Sequence, residues 1–323
     1  MSGVNICVVG AGRWGKNHIN TLCNLGVKIG IVEKSESEII NLNELFPNLD
    51  YFDSIEDTFQ KNFDGYIIST PPKSHFELAK RILLKGKPVL VEKPLSLSTK
   101  DGKELLSILK NTNGKLIVGH LLLFHPAIIK MKKLIDDGSI GDIMYLYSNR
   151  LNLGVVRKEE DVLWSFAPHD ISLFQYFANS FPNEINTSGG ALLQKEIFDS
   201  TITYIKYPNG IQGHIYVSWL HPFKEHRLVI IGSKGTLHFE DSSDTKPLLF
   251  YEKESIPNKE LLLKNKIPRL IEYDSDLPLL NELKYFIEII KGRSIEKASI
   301  QEGIDVVQIL EMATNSLKNN YEN

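Results

Sequence analysis

The apolar run Val89-Leu90-Val91 leads directly into Glu92-Lys93-Pro94. Burying an ammonium without a partner costs several kcal/mol, so a lysine at the end of such a strand is expected to face a cleft. There its pKa can shift and it can hold or move a proton. The plainer reading is a solvated strand end, with Pro94 stopping the ladder. A second candidate lies in Trp164-Ser165-Phe166-Ala167-Pro168-His169-Asp170-Ile171-Ser172. Pro168 suits the first position of a helix, which would set His169 in the first turn. The positive end of the helix dipole disfavours imidazolium there, and a neutral ring is what a general base requires. His169 would share a helix face with Ser172, Leu173 and Tyr176, whereas Asp170, its chain neighbour, would not face it. Asp170 reads as a first-turn acid, and the plain alternative for His169 is a satisfied core histidine.

The upstream sequence favours the cleft for Lys93. Asn5-Ile6-Cys7-Val8-Val9 is a buried-strand run, and Gly10-Ala11-Gly12-Arg13-Trp14-Gly15 follows it at once. A helical stretch comes next, stopped by Gly26, and then a second strand to Val32 with Glu33 at its end. G-x-G-x-x-G with a strand before, a helix after and an acid roughly twenty residues on is a dinucleotide-binding pattern. Gly10 makes the turn, Gly12 admits a pyrophosphate to the helix N-terminus with Arg13 and Trp14 beside it, and Gly15 allows close packing. Glu33 would accept from the adenosine ribose hydroxyls and repel a 2′-phosphate. That favours NAD over NADP, although Lys34 and Ser35 beside it weaken the exclusion.

Strands and helices keep alternating through residue 120, as in a doubly wound parallel sheet. Ligands on such a sheet bind outside the carboxyl ends of its strands. The glycine loop, Ser69-Thr70-Pro71-Pro72 and Glu92-Lys93 all fall there, with Ser74 to Glu77, including His75, at capping-box spacing. Beyond residue 120 the pattern changes. Thr201 to Tyr207 with Ile211 to Trp219, and Arg227 to Ile231 with Thr236 to Phe239, read as hairpins of an antiparallel sheet. Residues 253 to 270 read as a surface loop, and two helices close the chain. The expected fold is α/β: an N-terminal Rossmann domain over 1–120, then an α+β domain with a large open antiparallel sheet over 121–323, whose last helices can pack back on the first domain.

Composition sets the outer limits. The 323 residues are 42% hydrophobic and 24% charged with net charge −3, which gives no pull toward nucleic acid or anionic membrane. Cys7 and Cys23 read as small core residues in a reducing cytoplasm. No apolar run reaches the ~18 residues of a membrane span, and Met1-Ser2-Gly3 runs into a strand without a basic or apolar leader. The nine histidines lack metal-ligand spacing and there is no CxxC. Neither a GxSxG elbow nor a P-loop is present.

Gly10 to Gly15, Thr70-Pro71-Pro72 with His75, Glu92-Lys93-Pro94 and Ile140-Gly141-Asp142 resemble the glucose–fructose oxidoreductase / inositol dehydrogenase (Gfo/Idh/MocA) family along essentially the whole chain. The resemblance implies an NAD-dependent sugar dehydrogenase acting on a CH–OH group. It implies Lys93 near the nicotinamide and the reacting hydroxyl, often before a cis proline, with Thr70, Pro72 and Glu92 lining the nicotinamide end. It also implies a homo-oligomer, dimer or tetramer, formed through the C-terminal sheet. Many members carry an Asp four residues before the active-site His; here that place is Ser165, which leaves Lys93 and His169 as the catalytic pair.

Asn149-Arg150-Leu151-Asn152-Leu153-Gly154 and Trp164 to Ser172 further resemble bacterial enzymes that oxidise the 3-hydroxyl of UDP-N-acetylglucosamine, or of its uronate. Those enzymes feed an aminotransferase in surface-glycan or lipid A biosynthesis. Arg150, Arg157, Lys158, Lys224 and Arg227 are candidate cations for a diphosphate, with Asn152, Trp164 and Asp170 beside the sugar. The alternatives are a dehydrogenase of a free cyclitol or sugar, and a non-catalytic dinucleotide-binding regulator.

Overall fold

The computed structural model describes residues 3–47, 49–154, 156–253 and 267–321. The first six strands are β1 (Asn5–Val9), β2 (Lys28–Val32), β3 (Asp50–Phe52), β4 (Gly65–Ile68), β5 (Val89–Glu92) and β6 (Leu116–Gly119). They form one parallel sheet in the order 3-2-1-4-5-6. Their near-continuous apolar runs are the mark of strands covered on both faces. Helices α1 (Arg13–Asn24), α2 (Glu36–Leu45), α3 (Ile55–Thr58), α4 (His75–Leu84) and α5 (Thr99–Lys110) connect them. Local chemistry sets the ends: Ser35, Ser54 and Ser98 each cap a helix through the side chain, and Gly26 and Gly86 stand at positive φ just past α1 and α4.

Helix α6 (Pro126–Asp136) precedes the eight strands of the other sheet: β7 (Ile143–Leu153), β8 (Glu184–Gly190), β9 (Ser200–Lys206), β10 (Gln212–Ser218), β11 (Leu220–Gly232), β12 (Gly235–Glu240), β13 (Leu248–Glu252) and β14 (Arg269–Leu270). Both expected hairpins, β9–β10 and β11–β12, are present. The sheet is mixed rather than wholly antiparallel, because β7 lies between β11 and β10 and runs parallel to β10. Helix α7 (Val162–Ala178) packs on β7, β9 and β10. The expected loop over 253 to 270 lies mostly outside the described residues, and its described end is β14.

Helices α8 (Pro278–Ile290) and α9 (Ile300–Tyr321) complete the chain. Backbone proximity divides it into one unit of Met1–Phe124 with Leu277–Val307 and another of His125–Asp276 with Gln308–Asn323. Helix α8 and the start of α9 thus fall in the first unit, with the parallel sheet. Among the described residues no helix is long and apolar enough to cross a membrane, and no group of three or more acidic, His or Cys side chains could hold a metal.

Candidate active site

In the first unit a cavity of about 540 Å³ opens along the carboxyl ends of β1, β2, β3 and β4. Gly10, Gly12, Glu33, Ser69, Thr70 and Pro71 line it. Gly10 holds φ +89°, and a Cβ there would stand 2.6 Å from Thr70 Cγ2. A Cβ on Gly15 would come within 2.1 Å of the Gly10 carbonyl oxygen, so only glycine lets α1 sit this close to the turn. Over Gly12 there is nothing within 4 Å of where a Cβ would be. That open space at the start of α1 is what a pyrophosphate needs. Ser69 Oγ donates to the Gly10 carbonyl at 2.7 Å and ties the second loop to the first.

Glu33 is fixed by three backbone donors. Ala11 N–H reaches Oε2 at 2.9 Å, and the N–H groups of Lys34 and Ser35 reach Oε1 at 2.8 and 3.0 Å. The carboxylate is thus aimed before any ribose arrives, with acceptor capacity left over. Lys34, Ser54, Ile55, Glu56, Leu78 and Arg81 also line the cavity. The sequence reading missed them as liners, although the rule that ligands gather at strand carboxyl ends covers the β3–α3 turn as well. Trp14 is exposed, and with Arg13 it opens α1.

Two expectations change here. Ser74 does not make a capping box: its hydroxyl turns back to donate to the Pro71 carbonyl at 2.8 Å and lies in hydrogen-bond contact with Thr70 Oγ1 at 2.7 Å, over a short 3-10 turn at Pro72–Ser74. His75 is fully buried rather than facing a ligand. Its ring nitrogens lie 2.8 Å from the carbonyl oxygens of Pro94 and Thr70. Burial lowers its pKa, so the neutral ring donates to one of them at a time. His75 braces the Thr70 loop against the Glu92-Lys93-Pro94 turn, in which the Lys93–Pro94 peptide is cis.

Glu92 ends β5 with its carboxyl mostly buried. His18 Nε2, from α1, lies 2.8 Å from Glu92 Oε1, and the Lys93 N–H donates to Oε2 at 3.2 Å. Burial works to raise the Glu92 pKa. The hydrogen bond and charge of His18, with the charge of Lys93, outweigh it and hold the carboxyl below its usual range. His120, just past β6, is buried with neither ring nitrogen hydrogen-bonded to protein, and burial pushes it down to about 4. The sequence analysis did not single out His18 or His120.

In the second unit α7 starts at Asp161, whose side chain accepts from the Trp164 N–H at 3.0 Å. Pro168 therefore lies inside the helix, and His169 sits two turns in. The expectation of a first-turn His169 under the helix dipole is overturned, because the Asp161 cap starts the helix seven residues before Pro168. Proline has no N–H for the Trp164 carbonyl, and Pro168 is buried, as are Leu163, Ala167 and Ile171 of the same helix. Asp170 is not a first-turn acid either. It is 2% exposed and accepts from Arg150 Nε at 2.7 Å, Arg150 Nη2 at 3.1 Å and Ser148 Oγ. Arg150 is thereby committed to Asp170.

Other proposed substrate residues are also engaged. Arg157 pairs with Glu160 at 2.7 Å, Arg227 with Glu240 at 3.0 Å, and Trp164 Nε1 donates to Thr314 Oγ1 at 3.0 Å. Asn152 lies on β7, and Lys224 is exposed on a bulge of β11 between Leu220 and Glu225.

Known proteins match in the same two-part order. Residues 4–120 match the family described as "Oxidoreductase family, NAD-binding Rossmann fold", and residues 128–238 the "GFO/IDH/MocA C-terminal domain". Inositol 2-dehydrogenase of Rhizobium meliloti (strain 1021) is 23% identical over 261 residues, 74% of this chain and 76% of that protein. UDP-N-acetylglucosamine 3-dehydrogenase GnnA from Acidithiobacillus ferrooxidans superposes with a TM-score of 0.88 at 18% identity over 100% of both chains. The WlbA dehydrogenase from Bordetella pertussis, in complex with NADH and UDP-GlcNAcA, gives 0.79 at 19% identity over 99% of this chain and 98% of that one. A glycine cradle open over Gly12, a pre-aimed Glu33 and two consecutive family matches lead to one conclusion: the chain belongs to the GFO/IDH/MocA family and is an NAD-dependent oxidoreductase.

Proposed function

We propose that the chain oxidises the 3-hydroxyl of a UDP-N-acetylglucosamine-type nucleotide sugar to the 3-keto sugar. The observation that carries an alcohol oxidation is the placing of Lys93 at the carboxyl end of β5, on a turn braced by His75 and backed by the His18–Glu92 hydrogen bond. Bound NAD supplies the hydride acceptor. Lys93 and His169 share the two proton roles: one takes the hydroxyl proton, the other holds the oxygen as negative charge develops on it. Support for the nucleotide sugar is the residue pattern of Asn149 to Gly154 and Trp164 to Ser172, together with the whole-chain likeness in fold to enzymes named for such substrates. A 3-keto product suits a following aminotransferase, and the family resemblance suits a homo-oligomer formed through the second sheet.

A second reading, oxidation of a free cyclitol, is favoured by the names of the sequence relatives. It is favoured also by the commitment of Arg150, Arg157 and Arg227 to carboxylates, which leaves fewer cations for a diphosphate. Following NADH formation with UDP-N-acetylglucosamine, its uronate and the inositols, alongside calorimetric titration with UDP alone, separates the two. Turnover of a nucleotide sugar with measurable UDP binding is expected. Turnover of inositol with no UDP binding would overturn the first reading in favour of the second.

A further inference from the structure

Glu282 takes no part in the function argued so far, and it is the least satisfied carboxyl among the described residues. It lies on α8, is 1% exposed, and neither of its oxygens has a hydrogen-bond partner in the protein. A carboxylate left this way is expensive, whereas a carboxylic acid is tolerable. Two ionisable groups act on it directly. Glu92 of β5 acts on it electrostatically, as does Lys297, which precedes α9. Helix α1, which carries His18, packs on α8, and His18 Nδ1 is itself buried without a partner. His120, with both ring nitrogens unpartnered, lies within electrostatic reach of Glu92 and Lys93. Lys297 donates to the Leu123 carbonyl at 2.9 Å and feels Arg293, Glu296 and Glu302. Unsatisfied buried polar atoms are few in native proteins. Here five belong to three residues of one unit, around the carboxylate that precedes Lys93.

We infer that Glu282 is a positioning residue for the Glu92–Lys93 end of β5: a buried carboxylic acid whose proton is given up when Lys93 gains one. The inference rests on the reading above and takes Lys93, of the two proton-handling groups, as the one that accepts the hydroxyl proton. The step balances. The alcohol carbon loses a hydride to the nicotinamide, its hydroxyl proton goes to the Lys93 amine, and the Glu282 proton leaves to water, so one proton is released for each hydride. The nicotinamide loses its positive charge as Lys93 gains one, so the charge moves to the end of β5, where a carboxylate at Glu282 offsets it. Burial and the Glu92 charge push Glu282 well above the usual carboxyl range, against Lys297, so it holds its proton in the resting protein.

The direct test is infrared difference spectroscopy on the whole protein. Wild type should show a protonated-carboxyl band at neutral pH that Glu282→Gln removes. Loss of no such band would overturn the inference and leave the assignment of Lys93 untouched. Glu282→Asp keeps the carboxyl, should move the band rather than abolish it, and serves if the glutamine variant does not fold.

The tie to Lys93 is read from pH profiles of kcat/KM. With no negative charge able to form at position 282, Lys93 loses its proton more readily, so its inflection should move to lower pH in Glu282→Gln and return in Glu282→Asp. Coincident profiles would overturn the tie. A carboxyl that holds its proton when folded and loses it when unfolded weakens the fold as pH rises above the ordinary glutamate range. The Tm gap between Glu282→Gln and wild type should therefore widen in the variant's favour with rising pH, and a gap that stays constant would count against a proton on Glu282.

Discussion

The two units each bury a carboxyl on a helix, and treat it in opposite ways. Asp170 on α7 accepts from Ser148 Oγ and from two nitrogens of Arg150. Glu282 on α8 accepts from no protein group, and His120 nearby in the same unit is equally unpartnered. A fully served ion pair acts as a strut. A cluster with spare acceptors can exchange protons. On the function proposed above, the contrast gives the Arg150–Asp170 pair to architecture and the Glu92–Lys93 neighbourhood to chemistry, although sequence alone had placed residues from both in the site.

The largest effect should come from breaking the reactive end of the first cluster. Lys93→Ala is expected to lower kcat/KM by roughly 10²- to 10⁴-fold, with circular dichroism and thermal unfolding little changed. Near-normal turnover on the true substrate would remove Lys93 from the mechanism.

Breaking the strut should read out in stability instead. Asp170→Ala leaves the Arg150 guanidinium, 12% exposed, without its partner, and loss of one member of a buried pair costs about 3–5 kcal/mol. Replacing both, as Arg150→Met with Asp170→Leu, should recover most of that loss in urea unfolding. If the double variant folds well but no longer binds nucleotide sugar, the pair reaches substrate as well and the contrast between the units blurs.

Much of the first unit was legible because its signals are local. The glycine turn, the acid at the end of β2 and the alternating apolar runs each lie within a few residues of what they specify. Ser54 could be recognised as a cap for the same reason. Pro168 misled because a proline is as readily the first residue of a helix as a tolerated interior one. The Asp161 cap that decides the matter lies seven residues upstream. The parallel pairing of β7 with β10 joins Tyr145 to Gln212 across some of the longest separations in the sheet, and nothing in either strand announces its neighbour. The cluster of His18, Glu92, His120 and Glu282 drew one residue each from α1, β5, the turn after β6, and α8. Glu92 stands out by its motif, whereas His18, His120 and Glu282 each read alone as ordinary polar residues, and only their shared burial gives them meaning.

The smallest effect, and the one that sharpens the contrast most finely, is acid sensitivity. His120 sits near a pKa of about 4 when folded, against 6.5 for the ordinary side chain, chiefly through burial. The sign follows from which state binds the proton first. As pH falls below 6.5 the unfolded chain takes it up and the folded chain does not, so stability is intact above that range and declines as pH drops toward 4. The full difference amounts to about 3 kcal/mol at the acid end. His226 in the second unit is also pushed down to about 4, by burial and then by the charge of Arg150, so acid weakens both units. The variants separate the causes. His120→Leu should flatten the loss of Tm between pH 6.5 and pH 4 wherever Arg150 and Asp170 stand. Replacing Arg150 removes a positive charge facing His226, so the Arg150→Met, Asp170→Leu double variant should lose less stability in acid at its second unit. A Tm that falls equally steeply in His120→Leu and wild type would show that His120 is already protonated in the folded protein. The first cluster would then carry a charge that its unpartnered nitrogens give no hint of.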